Sequence, residues 1–165
     1  MTMPPRLRKA VLTAHVTTSV GWMGAVAAYL ALDITAVTGD DVPAVRSAYL
    51  AMETTAWYAI APLALAAVLI GVVNALGTPW GLFRHHWVVA KLLLTLVATA
   101  VLLVQTRTIS ALARAATTSA DPRELPGSMV HSVGGLVVLL AVVVLSIYKP
   151  RGLTRYGRRR QQARA

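Results

Sequence analysis

The 165-residue chain contains no cysteine. Disulfides, thiolate metal sites, thiol nucleophiles and a CxxCH haem attachment are therefore all excluded. Acidic residues are scarce as well, six Asp and Glu against 16 Lys and Arg. Charged residues of both signs make up only 13% of the chain, where a soluble domain carries about a quarter. No Ser-His-Asp triad, phosphate-binding loop or other catalytic signature is present. There is no internal repeat, low-complexity tract or second domain.

What the chain has instead is apolar length, with 56% of its residues hydrophobic. Four runs can cross a bilayer: Val11 to Val37, Tyr49 to Leu76, Val88 to Ile109 and Val130 to Tyr148. Each reaches or approaches the length that a hydrocarbon core of ~30 Å demands of a helix. The first is too long for a signal-peptide core and no small-residue cleavage site follows it, so it reads as a span. Short connections predict an all-α, integral membrane, antiparallel four-helix bundle. The expected helices cover about 11–38, 46–76, 85–115 and 128–148. A tail of residues 1–10 precedes them and a basic tail, 149–165, follows. Pro62 predicts a kink in the second helix.

The net charge of +10 sorts by loop. Arg6, Arg8 and Lys9 precede the first run, and Arg84 and Lys91 stand at the connection of the second and third. Lys149, Arg151, Arg155, Arg158, Arg159, Arg160 and Arg164 follow the fourth. The other side holds Arg46, Arg107, Arg114 and Arg123 with every acidic residue: Asp33, Asp40, Asp41, Glu53, Asp121 and Glu124. By the positive-inside rule both termini are expected in the cytoplasm. The basic tail is an orientation signal that attracts anionic lipid headgroups. It lacks the aromatic interleaving of a nucleic-acid surface, so nucleic acid is not an expected partner. Trp80, Phe83 and Trp87 suit the headgroup level. Gly134, Gly135 and Ala141 in the last run permit close helix approach, within the bundle or in a homodimer.

Polar residues inside the spans form two groups by depth. On the first helix His15, Ser19, Trp22, Val26, Tyr29 and Asp33 share one face, which must turn inward because ionisable groups facing acyl chains are costly. His15 lies at the depth of His85, His86 and Lys91. A neutral imidazole is a usual haem-iron ligand, and helix bundles place such ligands on facing helices. A b-type haem between His15 and His86, walled by Trp22 and Trp87, is one expectation. His85 and Lys91 are rivals for the second position, and Lys91 is also a partner for a propionate. The bland alternative makes His85 and His86 interfacial residues and lets Lys91 snorkel to the headgroups.

The second group, at the opposite depth, is Asp33, Glu53, Gln105, Arg107 and His131, with Met52 and Met129 near. A His with two carboxylates can bind copper or zinc, and Met favours Cu(I). The structural alternative is an ion-pair network in which Arg107 neutralises Asp33 or Glu53 and His131 completes the hydrogen bonds. A third expectation is an accessory subunit without chemistry of its own.

His15, then Trp22, Gly24 and Tyr29, resembles the first helix of the HemJ-type protoporphyrinogen oxidases of bacteria. Trp87-Val-Val-Ala-Lys91-Leu-Leu-Leu is similar to a later helix of that family, where a Trp precedes a Lys-Leu-Leu run. The stretch TPWGLFRHHWVVAKLLLTL also resembles small four-helix proteins of actinobacteria, related in pattern to the CopD-type copper-resistance membrane domain. The resemblance implies His15 as haem ligand, Lys91 as an iron-facing or essential lysine, and electron transfer or redox chemistry with a redox partner. Tyr29-Leu30 continues here as Ala31, Leu32 and Asp33, where the family has Pro-Arg and a later His. That departure implies a haem-binding relative lacking protoporphyrinogen oxidase activity.

Overall fold

A computed structural model describes residues 3–78, 81–150 and 152–162. Trp80, Arg151, Arg164 and the side chain of Arg160 lie outside the described residues. Among the described residues the structure is helical and contains no strand. Four helices are long and apolar enough to cross a membrane: α1 (Pro5–Thr38), α2 (Val42–Leu76), α3 (His86–Thr118) and α4 (Met129–Tyr148). A short α5 (Arg155–Gln162) follows. This is a multi-pass membrane protein. In lipid every backbone N–H and C=O must bond within its own segment, so long apolar runs become helices.

The helices outrun the apolar stretches. α1 begins at Pro5, where a proline in the first turn gives up no hydrogen bond, so the basic residues before Val11 continue the helix. α2 starts at Val42, its N-terminus capped by the Asp41 carboxylate, which accepts from Ala44 N at 3.0 Å. The expected disturbance near Pro62 takes the form of a π turn, Ala56–Ile60, directly ahead of it. Proline crowds the carbonyl four residues earlier, here Tyr58, and a widened turn relieves that crowding.

α1 packs on α2 and α4, and α3 packs on the same two helices, so α1 and α3 are diagonal partners. Trp22, Tyr29, Tyr49 and Met52 supply the large core side chains. Ala48, Ala56, Ala64 and Ala67 of α2 are buried among them and let neighbouring backbones come close. Large apolar residues such as Leu69, Val104, Val137 and Ile147 are exposed around the circumference, where acyl chains would cover them.

Both ends of the bundle are tied. At the acidic end the Arg46 guanidinium donates to the carbonyls of Ala116, Thr117 and Ser119 at 2.6, 2.9 and 3.1 Å, closing the C-terminus of α3. The Tyr49 hydroxyl donates to Leu125 O at 3.0 Å. At the basic end Met3 N donates to Gly77 O at 3.2 Å. Thr154 N and Oγ1 donate to Arg84 O (3.0 Å) and Phe83 O (2.6 Å), laying the C-terminal segment across the α2–α3 connection. Part of the basic tail is therefore folded against the bundle. The described N-terminal and C-terminal segments meet the same end of the bundle, at the α2–α3 connection.

Candidate functional site

His15 faces into the bundle, as its place on the polar stripe requires. The neighbour it meets is α2, not α3. A Cβ at Gly71 would stand 2.8 Å from His15 Cε1, so the ring occupies the space that glycine leaves open. The Ala67 backbone, one turn earlier on α2, is within hydrogen-bonding reach of the ring. His15 Nδ1 is buried and has no hydrogen-bond partner among the described residues.

Across the bundle on α3, Lys91 is half-buried and holds its ammonium 5.5 Å from the centre of the Trp87 ring, a cation–π contact. That ammonium lies within electrostatic reach of the His15 imidazole and of Lys149. No acidic residue is near them in sequence or depth. Glu53 is the carboxylate closest along α2 to Gly71, and 18 residues of helix separate the two, about 27 Å. Trp87 is buried and stacks at a tilt on His85, their ring centres 6.3 Å apart.

The histidine pair that opens α3 points elsewhere. His86 is exposed, its backbone N–H donates to Gly152 O at 3.3 Å, and its ring edge lies beside Gly152. His85 bridges to Leu153 in an isolated antiparallel contact. The structure therefore does not bring His86 or His85 together with His15. Depth along the chain placed them level, but the C-terminal segment claims them. Of the α3 candidates, Lys91 is the one within electrostatic reach of His15.

At the acidic end Asp33 is fully buried, 0% exposed. Its carboxylate accepts from Ser128 N (3.0 Å), Ser128 Oγ (3.0 Å) and Ser132 Oγ (2.8 Å). Asp33 on α1 thus caps the N-terminus of α4, where backbone N–H groups lack partners and the helix dipole favours negative charge. Ser128 holds the N-cap position but makes no capping bond of its own. Because the one Ser128 hydroxyl proton goes to Asp33, the 2.9 Å contact between Tyr29 Oη and Ser128 Oγ has tyrosine as donor. A Cβ at Gly127 would collide with Val37 and come within 3.3 Å of Asp33 Oδ1, so glycine is what lets this loop reach α1.

The rest of the expected outer group does not join. Arg107 and His131 are exposed and Glu53 is half-buried. The partners of Asp33 are hydroxyls and a backbone N–H rather than a guanidinium. Among the described residues no three His, Asp or Glu side chains are grouped to hold a metal ion. Among the described residues His131, Glu53 and Asp33, sketched as a copper or zinc site, do not form such a group. Ser128 and Ser132 were the missed partners. Their spacing of four, one turn of helix facing a buried acid, was the available signal.

Between α3 and α4 runs a lateral crevice of about 270 Å3. Its inner wall is Trp22, Val26 and Tyr29 of α1, and its polar end is Gln105, Ser128 and His131. Trp22 therefore belongs to this crevice, two turns beyond His15. Set against protein-family models, characterised proteins and solved structures, the chain matches none.

Proposed function

We propose that this four-span protein resides in the bacterial plasma membrane with both termini cytoplasmic, and that it binds a b-type haem in its cytoplasmic half. The observation that carries the reading is His15: an imidazole inside the bundle with a buried, unpartnered Nδ1. A buried polar atom left unpaired costs on the order of 1–3 kcal/mol, which a bound ligand would offset. The resemblance of the His15–Tyr29 and Trp87–Leu94 stretches to haem-associated membrane proteins agrees with it.

The roles follow from the chain's own groups. His15 would be the iron ligand, seated by the missing side chain at Gly71. Lys91 would neutralise a propionate, since its ammonium has a Trp87 face beside it and no carboxylate at its depth. It is also the second-ligand candidate in place of His86 and His85. Haem would supply reversible one-electron chemistry, with the helices setting ligation and burial. The reading is a redox or electron-transfer protein with a partner that exchanges electrons at the cytoplasmic face.

Orientation rests on the charge distribution. The ends that carry Arg6, Arg8, Arg84, Lys149 and Arg155 are tied together, and loops rich in Lys and Arg stay in the cytoplasm. The same surface would meet anionic headgroups.

The visible spectrum of protein purified after expression with haem supply tests the reading. A red protein whose Soret band is lost in His15→Ala and altered in Lys91→Ala supports it. A colourless protein that takes up no added haem overturns it. The chain has no native cysteine, so single cysteines at positions 120 and 162 report sidedness: a membrane-impermeant maleimide on intact cells should label only position 120.

A further inference from the structure

The crevice between α3 and α4 has a shape and chemistry unrelated to the His15 centre. On α3 it extends from Leu94 to Ile109, about 22 Å of helix. Its lips are exposed to the surrounding lipid, Val97 at 62% and Val130 at 85%, while its floor at Trp22 and Leu139 is buried. It therefore opens sideways into the membrane, and a ligand would enter from the bilayer.

The two ends of this slot differ. Toward the middle of the membrane the lining is aliphatic. At the acidic end it becomes polar, with Tyr29, Gln105, Ser128 and His131. The phenol of Tyr29 has its proton committed to Ser128, so its oxygen is left as an acceptor. The Gln105 side chain and the His131 ring make no hydrogen bond among the described residues and offer N–H donors. No Lys, Arg, Asp or Glu lines the crevice. Asp33 is shielded behind the serines, and Arg107, two residues beyond Gln105, projects from another face of α3.

This combination selects its occupant. A phospholipid headgroup carries a phosphate, which would find no cation at the polar end. A pure hydrocarbon would leave Gln105 and Tyr29 unmatched. A neutral ring with carbonyl or hydroxyl oxygens on an apolar tail matches both ends. We propose that the α3–α4 crevice is a binding site for an isoprenoid quinone or quinol. A ring oxygen accepts from Gln105 or His131, a quinol hydroxyl donates to Tyr29 Oη, and the first tail units lie along the aliphatic slot. The proposal concerns binding only and stands whether or not haem is present.

Photo-crosslinking tests it. The full chain is placed in nanodiscs of phosphatidylcholine and phosphatidylglycerol and illuminated with an azido-quinone carrying a short isoprenoid tail. Labelling should saturate at one quinone per chain, be competed by unlabelled menaquinone, and map to residues 94–109 or 128–139. A Cβ at Gly134, which lines the crevice, meets nothing within 4 Å, so Gly134→Leu can start its side chain in open space, intrude on the slot and should abolish saturable labelling. Gln105→Leu should raise the half-saturating concentration about tenfold, the equivalent of one hydrogen bond of ~1.4 kcal/mol. Labelling that does not saturate, maps elsewhere, or is unchanged in Gly134→Leu overturns the proposal. So does a phospholipid retained in native mass spectra that menaquinone fails to displace. Should Gly134→Leu unfold the bundle, the labelled positions in the unaltered chain and the Gln105→Leu shift decide.

Discussion

Asp33 of the first span and Ser132 of the fourth are joined by a 2.8 Å hydrogen bond, hydroxyl to carboxylate, in the interior of the bundle. The same carboxylate takes the Ser128 N–H at 3.0 Å. One acidic side chain thus ties the start of the fourth span to the end of the first. Asp33→Ala leaves the Ser128 N–H and the serine hydroxyls facing a void. It should lower stability by about 1–3 kcal/mol, the cost of buried groups left unsatisfied. Asp33→Asn keeps an acceptor oxygen and should lose less. Unfolding of the two variants by SDS in mixed micelles, followed by circular dichroism, gives the comparison. Equal stability of Asp33→Ala and the unaltered chain would show that the serines find other partners in full.

A second tie crosses from α2 to α3. Arg46 places one guanidinium against three carbonyls at the α3 C-terminus. Those carbonyls have no helical partner, and a cation there also meets the negative end of the dipole. Arg46→Ala should destabilise by about 1–2 kcal/mol. Arg46→Lys keeps the charge but not the fork, so it should recover only part of that. Amide exchange at residues 116–119 should quicken in the same order.

The span count and the common end of both termini were legible in the hydropathy and in the placement of Lys and Arg. Lipid leaves a backbone few choices, and the basic residues cluster at alternate connections. The inward faces of His15 and Asp33 were legible for a similar reason. What those faces meet was not. Helical periodicity assigns a residue to a side of its own helix and does not say which helix lies there. His15 was expected against His86, but α1 and α3 are diagonal and Gly71 of α2 receives the ring. Arg107 was expected to neutralise Asp33 or Glu53, yet Asp33 is satisfied by hydrogen bonds from two serines one turn apart. Serine spacing is common in apolar helices, where hydroxyls usually bond the preceding turn, so the signal was easily overlooked. The docking of residues 152–157 onto the α2–α3 connection had no periodicity to announce it.

The fit of His15 over Gly71 makes a coupled prediction. A methyl at position 71 would lie 2.8 Å from Cε1, too near for the ring to stay. Gly71→Ala should therefore destabilise the bundle by about 1–3 kcal/mol, as overpacking does. In a His15→Ala background the same substitution should be close to neutral, because the space is vacated. A double-mutant cycle measures the difference. Additive effects would mean that the imidazole does not occupy the Gly71 gap. The cycle reads packing alone, so it is independent of any cofactor.

The acidic end carries a titration that can be followed outside the spans. Arg123 donates to both oxygens of Asp121, at 2.6 Å in the closest contact, and to Asp40 O at 3.1 Å, linking the two loops at that end. These hydrogen bonds pull the Asp121 pKa from 3.8 down to about 2 and push that of Arg123 up. A carboxylate with a depressed folded pKa contributes its stability above its unfolded value and loses it as pH falls through the folded one. The loop contact should therefore be intact at pH 4 and above and open progressively as the pH approaches 2. The pair is open to solvent, so its share of the total is small and will shrink with salt. Carboxyl carbon NMR of selectively labelled Asp in detergent micelles should give Asp121 a midpoint near 2. Arg123→Ala should return that midpoint toward 3.8. An Asp121 midpoint that is already ordinary in the unaltered chain would mean that Arg123 does not hold the carboxylate in solution.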